Sequence, residues 1–255
     1  AKVGGFDIYG ADQTFGSPTS EMDAPGNALS FNGSNYAATA GVMTAAADNI
    51  SIEAWVCWGG GSSQFIVYNG DIATDGYGIM ASNPANSGNI SIFCGGGAGT
   101  ADADVQLTPN RWEHIAAVRS GGTWHLYING AEEPLTGNPS PITPAGSATV
   151  ASAGGIQNFA GMIDELRVWN TALGAADIRN RMCSALTGVE GSLAAYYHFD
   201  HAAGSVLTDR TANHNDGTLV NSPAWTDSAA FTVWTGIVNN DWDTAGNWSD
   251  GAPGA

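Results

Sequence analysis

Hydrophobic and polar positions alternate with a period of two along most of this chain, in short runs broken by Gly, Asn, Asp and Ser. The runs Trp112–Arg119 and Trp124–Ile128 flank Ser120, Gly121, Gly122 and Thr123, and the second closes on Asn129 and Gly130. That pattern predicts a β-hairpin entering a further turn. Similar runs at Ala28–Phe31, Tyr36–Ala38, Ile50–Trp58, Phe65–Tyr68, Tyr77–Ala81, Ile90–Cys94 and Val105–Leu107 are separated by turn clusters. Their spacing of roughly 8–12 residues belongs to a sandwich rather than to α/β alternation. Within Ile50–Trp58, Ile50, Ile52, Ala54 and Val56 share one face and Glu53 and Trp55 the other, so the first set should meet a second sheet.

Met162–Trp169 reads as another strand. Asn170 and Thr171 then offer oxygens to cap a helix over Ala175–Cys183, with Ala176, Ile178, Arg179 and Met182 forming a thin stripe that covers a sandwich edge. Gly191 to Trp225 predicts two or three further strands around the turn Asp209–Gly217. From Trp234 to Pro253 the rhythm changes. Trp234, Trp242 and Trp248 come with no apolar run after them, which is read as the opening of another β-rich module in a longer protein.

Composition narrows the classes. With 35 glycines in 255 residues the chain has the turn formers an all-β fold needs. Acidic residues outnumber basic ones 24 to 7, giving a net charge of −17 with Lys2 as the sole lysine. Such a field repels phosphate backbones and anionic lipid, so neither nucleic acid nor membrane insertion is expected; no apolar run reaches bilayer length. Cys57, Cys94 and Cys183 are too few and scattered for a zinc site. Buried thiols are the reading for Cys57 and Cys94, with one bridge between them as the alternative. The first residues lack a signal h-region, which fits either a cytosolic start or a processed mature chain, and the missing initiator Met favours processing; acidity, scarce lysine and abundant Gly, Ala, Thr and Asn suit a secreted bacterial surface protein.

Taken in order, Ala28–Tyr36, Ile52–Val56, Trp112–Val118, Leu126–Gly130, Phe159–Trp169, Leu193–Asp200 and Asp209–Gly217 resemble the laminin-G-like and pentraxin-like domains of the concanavalin A-like superfamily. The resemblance implies an all-β jelly-roll sandwich of two antiparallel sheets with one short covering helix. It spans about residues 4–228, giving a domain over 1–228 and a linker with the start of another module over 229–255.

Asp164 lies in the apolar run Met162–Trp169, so either it or Glu165 is drawn inward, and a buried carboxylate needs a cation or several donors. The resemblance implies a structural calcium held by Asp164, the Gly33 carbonyl and a group near Asp7; an ion pair with Arg167 or Arg119, or bonds to backbone amides, is the alternative. The loop Asn69–Gly78 brings Asn69, Asp71, Asp75 and Tyr77 to an expected rim, with Asp102 and Asp104 close by in sequence. Relatives hold a ligand-bridging calcium in such loops, although ordinary Asx turns account for the same residues. Tyr68, Tyr77, Trp58 and Trp124 could stack on sugar or simply pack. Asp209, Asn213, Asn215 and Asp216 are read first as a turn, and the five histidines share no ligand spacing.

No Glu-x-Asp-x-x-Glu string, nucleophile elbow or phosphate loop occurs. The reading is therefore a non-catalytic, calcium-stabilised extracellular module binding glycan or a cell-surface protein. A self-associating surface-layer or fibre module and an accessory domain of a polysaccharide-degrading enzyme are the alternatives.

Overall fold

The computed structural model describes residues 26–45, 47–201 and 203–231, and the backbone of two short strands near the N-terminus. In chain order the strands are β1 (Lys2–Val3), β2 (Phe6–Asp7), β3 (Asn27–Asn32), β4 (Tyr36–Thr39), β5 (Ile50–Trp58), β6 (Gln64–Asn69), β7 (Tyr77–Asn83), β8 (Asn89–Cys94), β9 (Gly99–Ala103) and β10 (Trp112–Ser120). They continue as β11 (Thr123–Ile128), β12 (Ala131–Glu133), β13 (Leu135–Thr136), β14 (Thr149–Val150), β15 (Ala160–Trp169), β16 (Leu193–Tyr197), β17 (Val206–Leu207), β18 (Gly217–Val220) and β19 (Ala224–Asp227). Helix α1 is Ala175–Arg181.

Strands β3–β19 make the expected two-sheet antiparallel sandwich, and β1 pairs with β2 alone. One sheet runs β12-β11-β10-β5-β15-β3-β19, with β16 also on β15, and the other runs β13-β9-β8-β7-β6-β14-β4-β18-β17. The expected hairpin is present, with Arg119 opposite Trp124 and Ile115 opposite Ile128. Ile50, Ile52, Ala54 and Val56 face the inter-sheet core with Ile79, Ile92, Ile115, Leu126 and Val168. Val105–Leu107, expected as a strand, is not one, although Ile90 N–H still donates to the Val105 carbonyl.

The opposite face of the eight-stranded sheet is covered rather than solvated. Trp169, Tyr196, Val118 and Tyr127 pack there with Leu173, Ile178 and Leu186, and Trp55 packs with Ala230 and Phe231. Consequently Glu53, on the face opposite Ile52 and Ala54 as expected, is fully buried there.

Helix α1 is shorter than the sequence pattern predicts, and Gly174 rather than Asn170 or Thr171 precedes its first turn. The Asp177 carboxylate accepts the Gly174 N–H at 3.3 Å, so an acidic side chain inside the first turn takes over the capping role. Of the expected stripe only Ile178 is buried. Cys57 and Cys94 are free and buried. Cys94 lies in the inter-sheet core while Cys57, opposite Trp112 and Met162, points to the other side of its sheet, so alternation keeps the two thiols from meeting. Residues 232–255, which hold the expected second module, lie outside the described residues.

Candidate binding face

The outer face of the nine-stranded sheet carries aromatic and polar groups side by side. In β8, Ile90, Ile92 and Cys94 enter the core, and alternation sends Asn89, Ser91 and Phe93 the other way. Pairing then sets two adjacent rows on that outer face. Tyr68, Gly78, Phe93 and Thr100 form one; Met80, Ser91, Asp102 and Thr136 form the other.

Phe93 is half-buried, set edge-on to Phe65 and Tyr68 with ring centres 5.6 and 6.4 Å away. Gly78 lies between Tyr68 and Phe93, and a Cβ there would come within 2.8 Å of the Tyr68 ring and 2.2 Å of the Val67 carbonyl. The bare backbone is what lets the aromatic row close up. Asp102, half-buried beside it, accepts the Ser91 hydroxyl at 2.7 Å and the Thr100 hydroxyl at 2.9 Å. Asn83 donates to Ser91 Oγ at 3.1 Å, and Asn86 donates to the Ala103 carbonyl at 2.8 Å. Asp104 is exposed and accepts from Asn89 at 3.4 Å. Ser91 and Asn83 are buried and serve to hold Asp102, so the groups that reach the surface are the half-buried Phe93 ring with Thr100, Asp102 and Thr136, a small apolar patch bordered by a carboxylate and hydroxyls.

The other expected rim residues do not reach solvent as a group. Asn69, Tyr68 and Tyr77 are fully buried. Asn69 accepts the Met43 N–H at 2.8 Å and donates to the Thr44 carbonyl at 2.6 Å and to Tyr77 Oη at 3.1 Å. Tyr68 donates to the Asp75 carbonyl at 2.6 Å. Asp75 accepts N–H groups of Asp71 and Ala145 and the Thr74 hydroxyl, while Asp71 accepts the Ala73 N–H. Those bonds hold the Asp75 carboxyl below its usual pKa against the opposing effect of desolvation. Local donors thus satisfy this loop as Asx turns. Trp58 and Trp124 pack in the core and donate to Gln64 Oε1 and the Pro139 carbonyl. None of Asn69, Tyr68 and Tyr77 can stack on or bond a ligand in this arrangement, because their side chains are spent inside.

Asp164 occupies a bulge. β15 pairs with β3 up to Ile163 and with β16 from Leu166, while Asp164 opposes Trp55 and Arg167 opposes Glu53 on β5. Glu165 takes φ 51°, and both carboxylates end on the covered face. Asp164 is fully buried; its Oδ1 accepts the Glu165 N–H at 2.8 Å and its Oδ2 the Ser228 hydroxyl at 2.6 Å. Neither Arg119 nor Arg167 pairs with it. Desolvation first, then the neighbouring Glu165 charge, push its carboxyl well above the usual range despite the Ser228 bond, and Asp200 adds to that push.

Gly33 does not join Asp164. Its N–H bonds the Phe159 carbonyl, five positions back along β15, a separation of roughly 16 Å at the rise of a strand. The side chain of Asp7 lies outside the described residues. No group of three or more His, Cys, Asp or Glu among the described residues is arranged to hold a metal ion. Gly33 therefore stands apart from Asp164, while Asp164, Glu165 and Asp200 crowd three acidic groups together on the covered face.

Beside Asp164 the covered face holds a charged network. Arg167 donates to Glu165 Oε2 at 2.5 Å, to the Ser184 carbonyl at 2.5 Å and to the Arg181 carbonyl at 2.8 Å, and stands 3.7 Å from Glu53. Tyr196 donates to Glu165 at 2.9 Å. His114 Nε2 is 3.5 Å from Glu53, and His198 faces Asp200 and Glu165. Burial lowers the pKa of His114 to about 3 and of His198 to about 4. Asp209 accepts N–H groups of Tyr196, Thr211 and Asn215, which makes Asp209–Gly217 the turn the sequence predicts.

Sequence reasoning reached Asp102 and Asp104 but missed Phe93, Ser91, Thr100, Thr136 and Asn83. A signal was there for Phe93: it is the aromatic on the polar side of an otherwise clean alternation from Asn89 to Cys94. Thr136 joins only through the long-range pairing of β13 with β9.

Residues 31–179 match the Laminin_G_3 family, described as the Concanavalin A-like lectin/glucanases superfamily. No curated protein matches the chain. Among solved structures, a protein assigned to carbohydrate binding from Bacteroides ovatus shares 19% identity, with a TM-score of 0.65 over 81% of this chain and 61% of its own. The chain thus spans about three fifths of that relative. Domain 4 of AbnA, a GH43 extracellular arabinanase from Geobacillus stearothermophilus in complex with arabinotriose, shares 19% identity, with a TM-score of 0.52 over 60% of this chain and 75% of its own. A heptameric SAP-like pentraxin from Limulus polyphemus shares 13% identity, with a TM-score of 0.55 over 81% and 97%.

Proposed function

Because the chain belongs to the Laminin_G_3 family of the concanavalin A-like lectin/glucanase superfamily, we propose that it is a non-catalytic extracellular module that binds glycan on the outer face of its nine-stranded sheet. The observation that carries this reading is the half-buried Phe93 ring in register with Thr100 and one row from Asp102. A pyranose or furanose ring offers an apolar face to the aromatic and hydroxyls to the carboxylate and hydroxyls around it. Asp102 is held by Ser91 and Thr100, so it would meet a sugar already oriented.

An accessory domain of a polysaccharide-degrading enzyme is the second reading, favoured by the likeness to a domain of an extracellular arabinanase. In this second reading the module binds and the enzyme's catalytic part acts. Calcium is kept as a proposal on charge balance: Asp164 is buried beside Glu165, with Asp200 also raising its pKa, and a cation would relieve that repulsion. A glycan array, followed by calorimetry with the best oligosaccharide on wild-type protein and Phe93→Ala, tests the function. Absence of glycan binding together with concentration-dependent self-assembly would replace it with the self-associating surface-layer reading.

A further inference from the structure

At one end of the sandwich a cleft of about 170 Å³ is lined by Ala47, Asp48, Arg119, Ser140, Pro141 and Thr143. Alternation carries Arg119 to the core side of β10, after Ile115 and Ala117, where its side chain is 6% exposed. The guanidinium lies over the Trp124 ring, 5.5 Å from its centre. It donates to the Pro139 carbonyl at 3.1 Å and to Ser140 Oγ at 3.4 Å, and its Nε–H has no acceptor among the described residues. Among the described residues the one carboxylate beside it is Asp48, 3.5 Å away with its side chain 74% exposed.

That arrangement is unusual for a buried cation. Interior arginines are normally matched by carboxylates that share their burial, because a desolvated charge is costly unless paired. Arg167 of this chain follows that rule with Glu165 and Glu53. Arg119 is instead held by neutral acceptors and an exposed, loosely placed Asp48. Gly122 leaves the pair open, since a Cβ there would lie 3.3 Å from Asp48 Oδ1 and 3.6 Å from Arg119 Nη2.

We propose that this cleft binds the carboxylate of an acidic sugar of the uronic acid class, with Arg119 as its anchor and Asp48 displaced on binding. A planar guanidinium fork matches a carboxylate. The hydroxyls of Ser140 and Thr143 supply the polar wall a sugar ring requires, and Ala47 and Pro141 add little apolar surface. Asp48 is the built-in competitor: it keeps an otherwise unpaired cation company until the ligand's carboxylate takes its place. The site is separate from Phe93 and stands or falls without it.

The test is titration of the full chain with D-glucuronate, D-glucose and acetate, followed by calorimetry and by the NMR signal of the Arg119 Nε–H. Glucuronate should bind saturably and shift that signal, with glucose and acetate at least about tenfold weaker. Arg119→Lys should weaken glucuronate binding about tenfold or more, whereas Asp48→Asn, a surface change that leaves the core alone, should tighten it a few-fold. No glucuronate binding, binding indifferent to Arg119→Lys, or weaker binding in Asp48→Asn overturns the proposal; acetate binding as tightly as glucuronate overturns the sugar assignment.

Discussion

The Ser228 hydroxyl donates to Asp164 Oδ2 at 2.6 Å, tying the end of the last strand to the bulge in the central strand of the eight-stranded sheet. Ser228 is also the acceptor for the Ala230 N–H, and Ala230 and Phe231 close over Trp55. Ser228→Ala leaves a buried carboxyl short of a donor. It should cost about 1–3 kcal/mol in urea unfolding, against about 0.5 kcal/mol or less for a surface serine. A loss no larger than that surface value would show that the contact carries no stability.

Calcium can be examined at the same bulge. If a cation relieves the crowding of Asp164, Glu165 and Asp200, millimolar calcium raises the melting temperature and Asp164→Asn removes the increase. A wild-type melting curve unmoved by calcium or chelator rules the metal out.

Arg167 anchors the covered face from the middle of a sheet. Truncation to Ala would strand Glu165 and Glu53 without their cation, and unfolding stability should fall by about 3–5 kcal/mol. The triple change Arg167→Met, Glu165→Gln, Glu53→Gln should lose less than Arg167→Ala alone, because neither Glu165 nor Glu53 is then left as a buried charge without its cation. Equal losses would mean the arginine matters only for its bulk.

Patterning is read unevenly along the chain. The hairpin at Trp112–Ile128 and the inward set Ile50, Ile52, Ala54 and Val56 were legible because alternation and turn chemistry are local. Alternation gives the side of the strand on which Glu53 lies but not that this side is covered. Nothing near it in sequence announces that Leu173, Ile178 and Leu186 will roof that face. Asp164 and Glu165 posed a choice of one inward carboxylate, and the bulge turned both the same way. Tyr68 and Tyr77 looked like rim aromatics, yet their hydroxyls are taken by groups of the 44–45 and 69–75 segments.

His114 makes stability fall in acid. Its folded pKa is about 3 because burial, reinforced by Arg167, opposes protonation, whereas an unfolded histidine titrates near about 6.5. The unfolded state therefore binds the proton first. The contribution is complete above about pH 6.5 and declines by up to about 1.4 kcal/mol per pH unit as pH falls toward 3. Glu53, which faces His114 and whose carboxyl burial raises, acts in the opposite direction at low pH. The difference between wild type and His114→Gln isolates the histidine: the variant's unfolding free energy should vary less steeply between pH 4 and 6. Parallel pH profiles would show that His114 is not held neutral.

Sugar binding is assigned here to the Phe93 face. The most direct measurement is calorimetric titration of the best array oligosaccharide into wild type, Phe93→Ala and Asp102→Ala, with folding checked by circular dichroism. Loss of the ring's stacking, worth about 1–3 kcal/mol by burial, predicts at least about a fivefold weaker Kd for Phe93→Ala, and a comparable loss is expected for Asp102→Ala. Folded variants that bind as tightly as wild type would contradict the account.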